Sequence, residues 1–257
     1  MELKPIYIPF KSIFPALVGY LGDKTPLTDR FPLINQKKPY GKAHKGATAI
    51  ERQINGLHLI MHRIRIGSGI NILPDEKYTV DFRYLPVDFL SFFVWLRMIM
   101  DSAAFLTPFF YDKPGVIPGE SFSNQLKWFI ETRPQHDGEL SNYLRRNLGW
   151  FGQIRDTRSD LLHWKGWSYA DVDGGEVKIN QMSGNRVKKE FSSITKTVGE
   201  FYINFVEFSK FYEEHFAQVL KIRGGGFREH DVQMVSDIYA SLDYIVGKAG
   251  GKLSATL

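Results

Sequence analysis

The sequence predicts a mainly α protein: a helical bundle of four to five core helices with a small β-hairpin insertion. Three observations carry this expectation. Apolar residues recur every three or four positions around residues 48–66, 88–111, 140–164 and 192–222. Proline and glycine clusters punctuate the intervals between these stretches. Strand-like alternation flanks Asp173-Gly174-Gly175, a strong hairpin turn signal. With no internal repeat and no shift of composition, residues 1–257 read as a single domain, in which 1–48 form a largely irregular N-terminal arm.

In chain order, Pro5, Pro9, Lys11 and Pro15 break any apolar run at the N-terminus, so no signal peptide is expected. The run QKKPYGKAHKG reads as a basic loop. Ile50, Ile54, Leu57, Met61 and Ile64 predict a helix over 48–66, ended by the Gly67-Ser68-Gly69 run. The segment 78–84 alternates weakly and is expected to be extended. From 88 to 111 runs the most apolar stretch, with Asp88 as its expected N-cap. Arg97 and Asp101, four apart near its middle, favour a buried core helix with an internal ion pair over a membrane span. Ser121 or Ser123 is placed to cap a short helix that Pro134 stops.

The strongest helix signal is LSNYLRRNLGWFGQIRDTRSDLLHW, taken as one helix from near Asp137 to Trp164. The hairpin follows. Beyond it Ile194, Val198, Phe201, Phe205, Phe208, Tyr212 and Phe216 predict a long helix. In that helix Phe201, Phe205 and Phe208 form a stripe that could pack inside the subunit or serve as a seam to another. Gly224 to Gly226 end it, and a shorter helix is expected over 231–246.

Composition is that of an ordinary globular protein, 43% hydrophobic and 24% charged. The absence of cysteine excludes disulfides, thiolate catalysis and cysteine-ligated metals, and fits a reducing, cytoplasmic setting. The formal charge of +5 suits a polyanionic partner. Lys37, Lys38, Lys42 and Lys45 form the densest basic patch and are the candidate phosphate contacts.

Within the central stretch, charged groups fall where the apolar stripe should run. The step of three or four from Phe151 through Ile154 lands on Arg158. A second line passes through Asp156, Ser159 or Asp160, and His163. Arg158 and His163 are five apart, so on a straight helix they diverge by roughly 140°. They could not meet each other on one helix without a distortion, but each could meet a copy from a second subunit. His58 and His62 have metal-ligand spacing, but no glutamate stands between them and Met61 gives that face a core character, so no metal or other cofactor is expected. His215, after Glu213 and Glu214, reads as part of a solvated face.

The run RDTRSDLLHW, with four residues between Arg158 and His163 late in a bundle helix, resembles the motif of the HEPN superfamily (higher eukaryotes and prokaryotes nucleotide-binding). Ile154-Arg155-Asp156 is similar to the run-in to that motif. Ser159 departs from it, since Asn, Asp or His more usually follows the arginine. Comparable spacing recurs at Arg52/His58 and Arg223/His230, and Arg158/His163 is singled out by its helix and by the polarity of its stripe. The resemblance implies a helical-bundle, metal-independent endoribonuclease of toxin–antitoxin or antiviral type. It also implies a homodimer acting on RNA, with a protein partner or antitoxin and no membrane. In that reading Arg158 and His163 are catalytic, with Asp156, Ser159, Asp160 and Arg155 in support. The alternative is a non-catalytic helical interaction protein on the same fold.

Overall fold

The computed structural model describes residues 8–26, 38–68, 84–163, 168–173, 176–183, 186–191 and 194–223, and for 160–163, 172, 173, 176, 183, 188 and 189 the backbone alone. The expected extended segment 78–84, except Tyr84, and the expected helix 231–246 lie outside them, as does Lys37. Seven α-helices and one three-stranded sheet make up the described fold, which is mainly helical as the sequence predicts.

Helix α3 (Leu85–Phe110) is the axis of the core. Phe89, Phe92, Phe93, Leu96, Ile99, Met100, Ala103, Ala104 and Leu106 are fully buried on it. Helix α2 (Pro39–Gly67) packs antiparallel along one side. There a Cβ on Gly46 would meet Leu106 at 2.9 Å, while Arg63 reaches Asp88 at the other end (3.0 Å). Asp88 is therefore the buried partner of Arg63 and not the N-cap expected of it. The expected internal pair is present: Arg97 Nε donates to Asp101 at 2.9 Å.

Pro108 stands inside the last turn of α3. A proline has no N–H, so the carbonyl of Ala104 four residues back has no helical donor. The buried Gln125 supplies one, Nε2 to Ala104 O at 2.9 Å, and donates to Pro118 O at 2.7 Å. Gln125 belongs to the short helix α4 (Phe122–Lys127), whose N-cap is Ser121, as one of the two serines was expected to be. A π turn (Trp128–Thr132) and a 3-10 turn (Pro134–His136) follow.

The N-terminal region corrects the expectation of an irregular arm. Helix α1 (Ile13–Asp23) buries Ile13, Phe14, Leu17 and Leu21, and α2 begins at Pro39 in what reads as a basic loop. Pro15 lies in the first turn of α1 and Pro39 opens α2, positions where no intrahelical N–H is needed. The buried face of the early α2 is Gly41, Ala43 and Gly46, so it leaves no apolar stripe to read.

The central stretch is two helices, not one. Helix α5 (Gly138–Asn147) is capped by Asp137 and stops at Leu148, whose backbone (φ −106°, ψ 22°) leaves the helical region. Helix α6 (Gly149–His163) restarts at once. The insertion carries one strand more than a hairpin: β1 (Ser168–Asp173), β2 (Glu176–Ser183) and β3 (Arg186–Phe191) form an antiparallel sheet in sequence order, with a register shift at Gln181/Met182. Phe191 seats the sheet against α3, 5.2 Å from Phe89.

Helix α7 (Ile194–Ile222) closes the bundle. Phe205 and Phe208 are fully buried, and Phe201 stacks edge-on to Phe93 at 5.2 Å. Phe205 and Phe208 of the phenylalanine stripe are thus core, and Phe201 is half-buried against it.

Candidate functional site

Helix α6 is anchored at its start. Trp150, Phe151 and Ile154 are buried, Phe151 packs on Phe122 at 4.8 Å, and the Arg97 guanidinium lies 4.7 Å from the centre of the Phe151 ring. Beyond Ile154 the helix turns polar. Arg155 and Asp156 are exposed and pair with each other at 3.0 Å. Arg158 is half-buried and Ser159 exposed. Neither Asp101 nor Glu139 takes Arg158: Asp101 is held by Arg97 and the Phe122 N–H, and Glu139 lies beside His215. Among the described residues Arg158 has no ion pair. His163 is the last residue of α6, with Asp160 one turn before it; for both, the structure places the backbone only.

Lys38, Lys42 and Lys45 are exposed on the first turns of α2, on one face. That helix carries no acidic residue in its first turn, so these charges add to the positive end of its dipole. The structure does not bring this patch to Arg158. It sits by Phe105 and Leu106, whereas α6 starts beside Arg97 and leads into the sheet that meets Phe89. The two groups lie towards opposite ends of α3, and residues 88 and 106 of that helix are about 27 Å apart at 1.5 Å per residue.

The histidines fall out differently from their sequence context. His58 Nε2 lies 2.8 Å from Tyr202 Oη, and burial pushes its pKa down. His62 is exposed. Among the described residues no three His, Asp or Glu side chains gather as a metal ion would need. His215 corrects the expectation of a solvated face: it is 6% exposed. Its Nε2 lies 2.7 Å from Asp137 Oδ2, which also accepts from Tyr111 Oη at 2.5 Å. Its Nδ1 is 3.4 Å from Glu139 Oε2 but makes no hydrogen bond.

Asp137 is therefore N-cap, acceptor for a tyrosine and partner of a histidine at once. Burial alone would raise its pKa. The hydrogen bonds from His215, Tyr111 and the Leu140 N–H outweigh burial and hold the carboxyl at about 2. Burial, with the neighbouring carboxylate, pushes the Tyr111 hydroxyl far above its ordinary value. This cluster ties α3, α5 and α7 together. Its chemistry is that of a buried clamp, because Tyr111 Oη and His215 Nε2 are both aimed at Asp137, while His215 Nδ1 is left without a hydrogen bond. The proximity of His215 to Tyr212 and Phe216 on the α7 core face is the signal that could have found it.

No known protein family, curated protein or solved structure matches the chain.

Proposed function

We propose that the protein is a HEPN-like, metal-independent endoribonuclease that works as a dimer, with Arg158 and His163 as its catalytic residues. The observation that carries this reading is the state of Arg158. It is a guanidinium set within the line of an otherwise apolar stripe, half-buried, with no carboxylate partner among the described residues. A structural arginine in such a position would be expected to hold an ion pair, as Arg97 and Arg63 do.

RNA carries its own nucleophile, the ribose 2′-OH. A histidine takes that proton as O2′ bonds to phosphorus, and the bond to O5′ breaks. The imidazolium then returns its proton to O5′ through a water molecule, leaving a 2′,3′-cyclic phosphate and a 5′-hydroxyl. Histidine suits both roles because it titrates near neutral pH. Arginine stays charged and offers a planar fork to the phosphate oxygens as negative charge builds. Since Arg158 and His163 diverge on α6 by roughly 140°, the site joins residues of two subunits. In the same reading Asp156, Asp160, Ser159 and Arg155 are its supporting residues. Lys38, Lys42 and Lys45 lie too far away to touch the reacting phosphate and would hold a distant part of the strand. A toxin or antiviral role, with an antitoxin as protein partner and action in the cytoplasm, belongs to the same reading.

The test is cleavage of mixed RNA substrates in EDTA by the wild type, Arg158→Ala and His163→Ala. The expected result is cutting by the wild type and its loss in both variants, with circular dichroism unchanged. Wild-type protein that leaves every substrate intact would turn the reading towards a non-catalytic interaction protein. Activity that survives both substitutions would place the site elsewhere.

A further inference from the structure

We propose that the seam between α2 and α3 is a docking groove for single-stranded RNA. This rests on the RNA reading above and names its substrate class. Two rings of α3 lie in notches that glycines leave on α2. Phe105 sits at Gly46, where a Cβ would stand 3.1 Å from its Cδ1, and Trp95 sits at Gly56, which its ring leaves no room for a Cβ. Phe105 is 37% exposed and Trp95 half-buried, so both keep part of their surface in solvent. The two notches are ten residues apart, about 15 Å along α2.

A cation accompanies each notch. Lys42 precedes Gly46 by four residues, and Arg52 precedes Gly56 by four, so each stands one turn back on the same side of α2. Lys45 comes between them in sequence and shares a helical line with Arg52, seven residues on. All three are exposed, and none has an ion pair among the described residues. Glu51 is the only acidic residue of α2, and it stands about 100° round the helix from Arg52. On α3 the partly exposed Asp101 lies between Met98 and Phe105, where Arg97 neutralises it at 2.9 Å.

Cations interleaved with rings suit an unpaired strand. Lysine and arginine take its phosphates, and a free base lays its π face on phenylalanine or tryptophan. A duplex keeps its base faces stacked inside, so it can use the cations alone. A lipid surface fits less well, because the Asp101 carboxylate interrupts the apolar line of Val87, Met98 and Phe105.

Fluorescence anisotropy of the full-length protein with a labelled 2′-O-methyl oligonucleotide tests docking apart from cleavage, since that strand has no 2′-OH to attack. The single strand is expected to bind about tenfold more tightly than the same strand paired with its complement. Phe105→Ala should weaken single-strand binding about tenfold and leave duplex binding unchanged. Lys45→Ala and Arg52→Ala, both at exposed positions, should each reduce the slope of log affinity against log salt by about 0.7. Tryptophan emission should be quenched on binding, and less so in Trp95→Phe. Equal affinity for single strand and duplex, unchanged binding in Phe105→Ala, or no binding by the wild type would each overturn the proposal. Binding to vesicles of anionic phospholipid without binding to the oligonucleotide would assign the face to a lipid surface and overturn it too. Ring-dependent binding by a wild type that cuts no RNA would support the groove and reject the catalytic site alone.

Discussion

His215 Nε2 lies 2.7 Å from Asp137 Oδ2, joining two residues 78 positions apart at a buried junction of α5 and α7. Asp137 is the group whose charge matters most there, and the sign of its effect is fixed. Its folded pKa, about 2, lies below the ordinary 3.8. The stabilisation it confers is thus complete above about pH 4 and fades as pH falls towards 2. By linkage it amounts to about 2 kcal/mol. Asp137→Asn keeps a competent N-cap and removes the charge. Urea denaturation should find this variant weaker than the wild type at pH 7, with the gap closing between pH 4 and pH 2.

Gln125 is expected to behave as a replacement for the N–H that Pro108 lacks. Gln125→Leu leaves the buried Ala104 carbonyl without a donor, a loss of about 1–3 kcal/mol. In a Pro108→Ala background the helix supplies its own N–H, so the same substitution should cost less. A double-mutant cycle read by thermal or urea unfolding checks the coupling, and additive losses would contradict it.

Gly56 is fixed by the Trp95 ring. A Cβ there would stand 2.4 Å from Cζ3 of the indole. Trp95 is only partly buried, so Gly56→Ala should push the ring outwards. The expected cost is about 1–3 kcal/mol with a shifted tryptophan emission. Trp95→Ala should remove most of the added cost of Gly56→Ala.

Much of the fold is legible where packing follows an apolar repeat. Helix α7, the antiparallel pairing of β1 with β2, the Ser121 cap and the Arg97–Asp101 pair all follow from local spacing. The start of α2 is not legible, because its packing face is made of Gly41, Ala43 and Gly46 and depends on large side chains of α3. The break at Leu148 is hidden for a related reason, since Leu144, Leu148 and Phe151 continue the apolar rhythm across it. Of the candidate site, the helix and the polar turn after Ile154 are legible. The long-range partners of Asp137 and His215 are not, since nothing in a local window joins residues from three helices.

The most direct measurement of the central claim is subunit complementation in EDTA. Arg158→Ala and His163→Ala proteins, each inactive alone, are mixed and allowed to exchange subunits before RNA is added. If each site takes Arg158 from one subunit and His163 from the other, heterodimers hold one intact site, and cleavage should return to roughly a quarter of the wild-type level for random exchange in a two-fold dimer. A mixture whose subunits demonstrably exchange and which stays as inactive as its components, beside a wild type that cuts, would contradict a site shared between subunits.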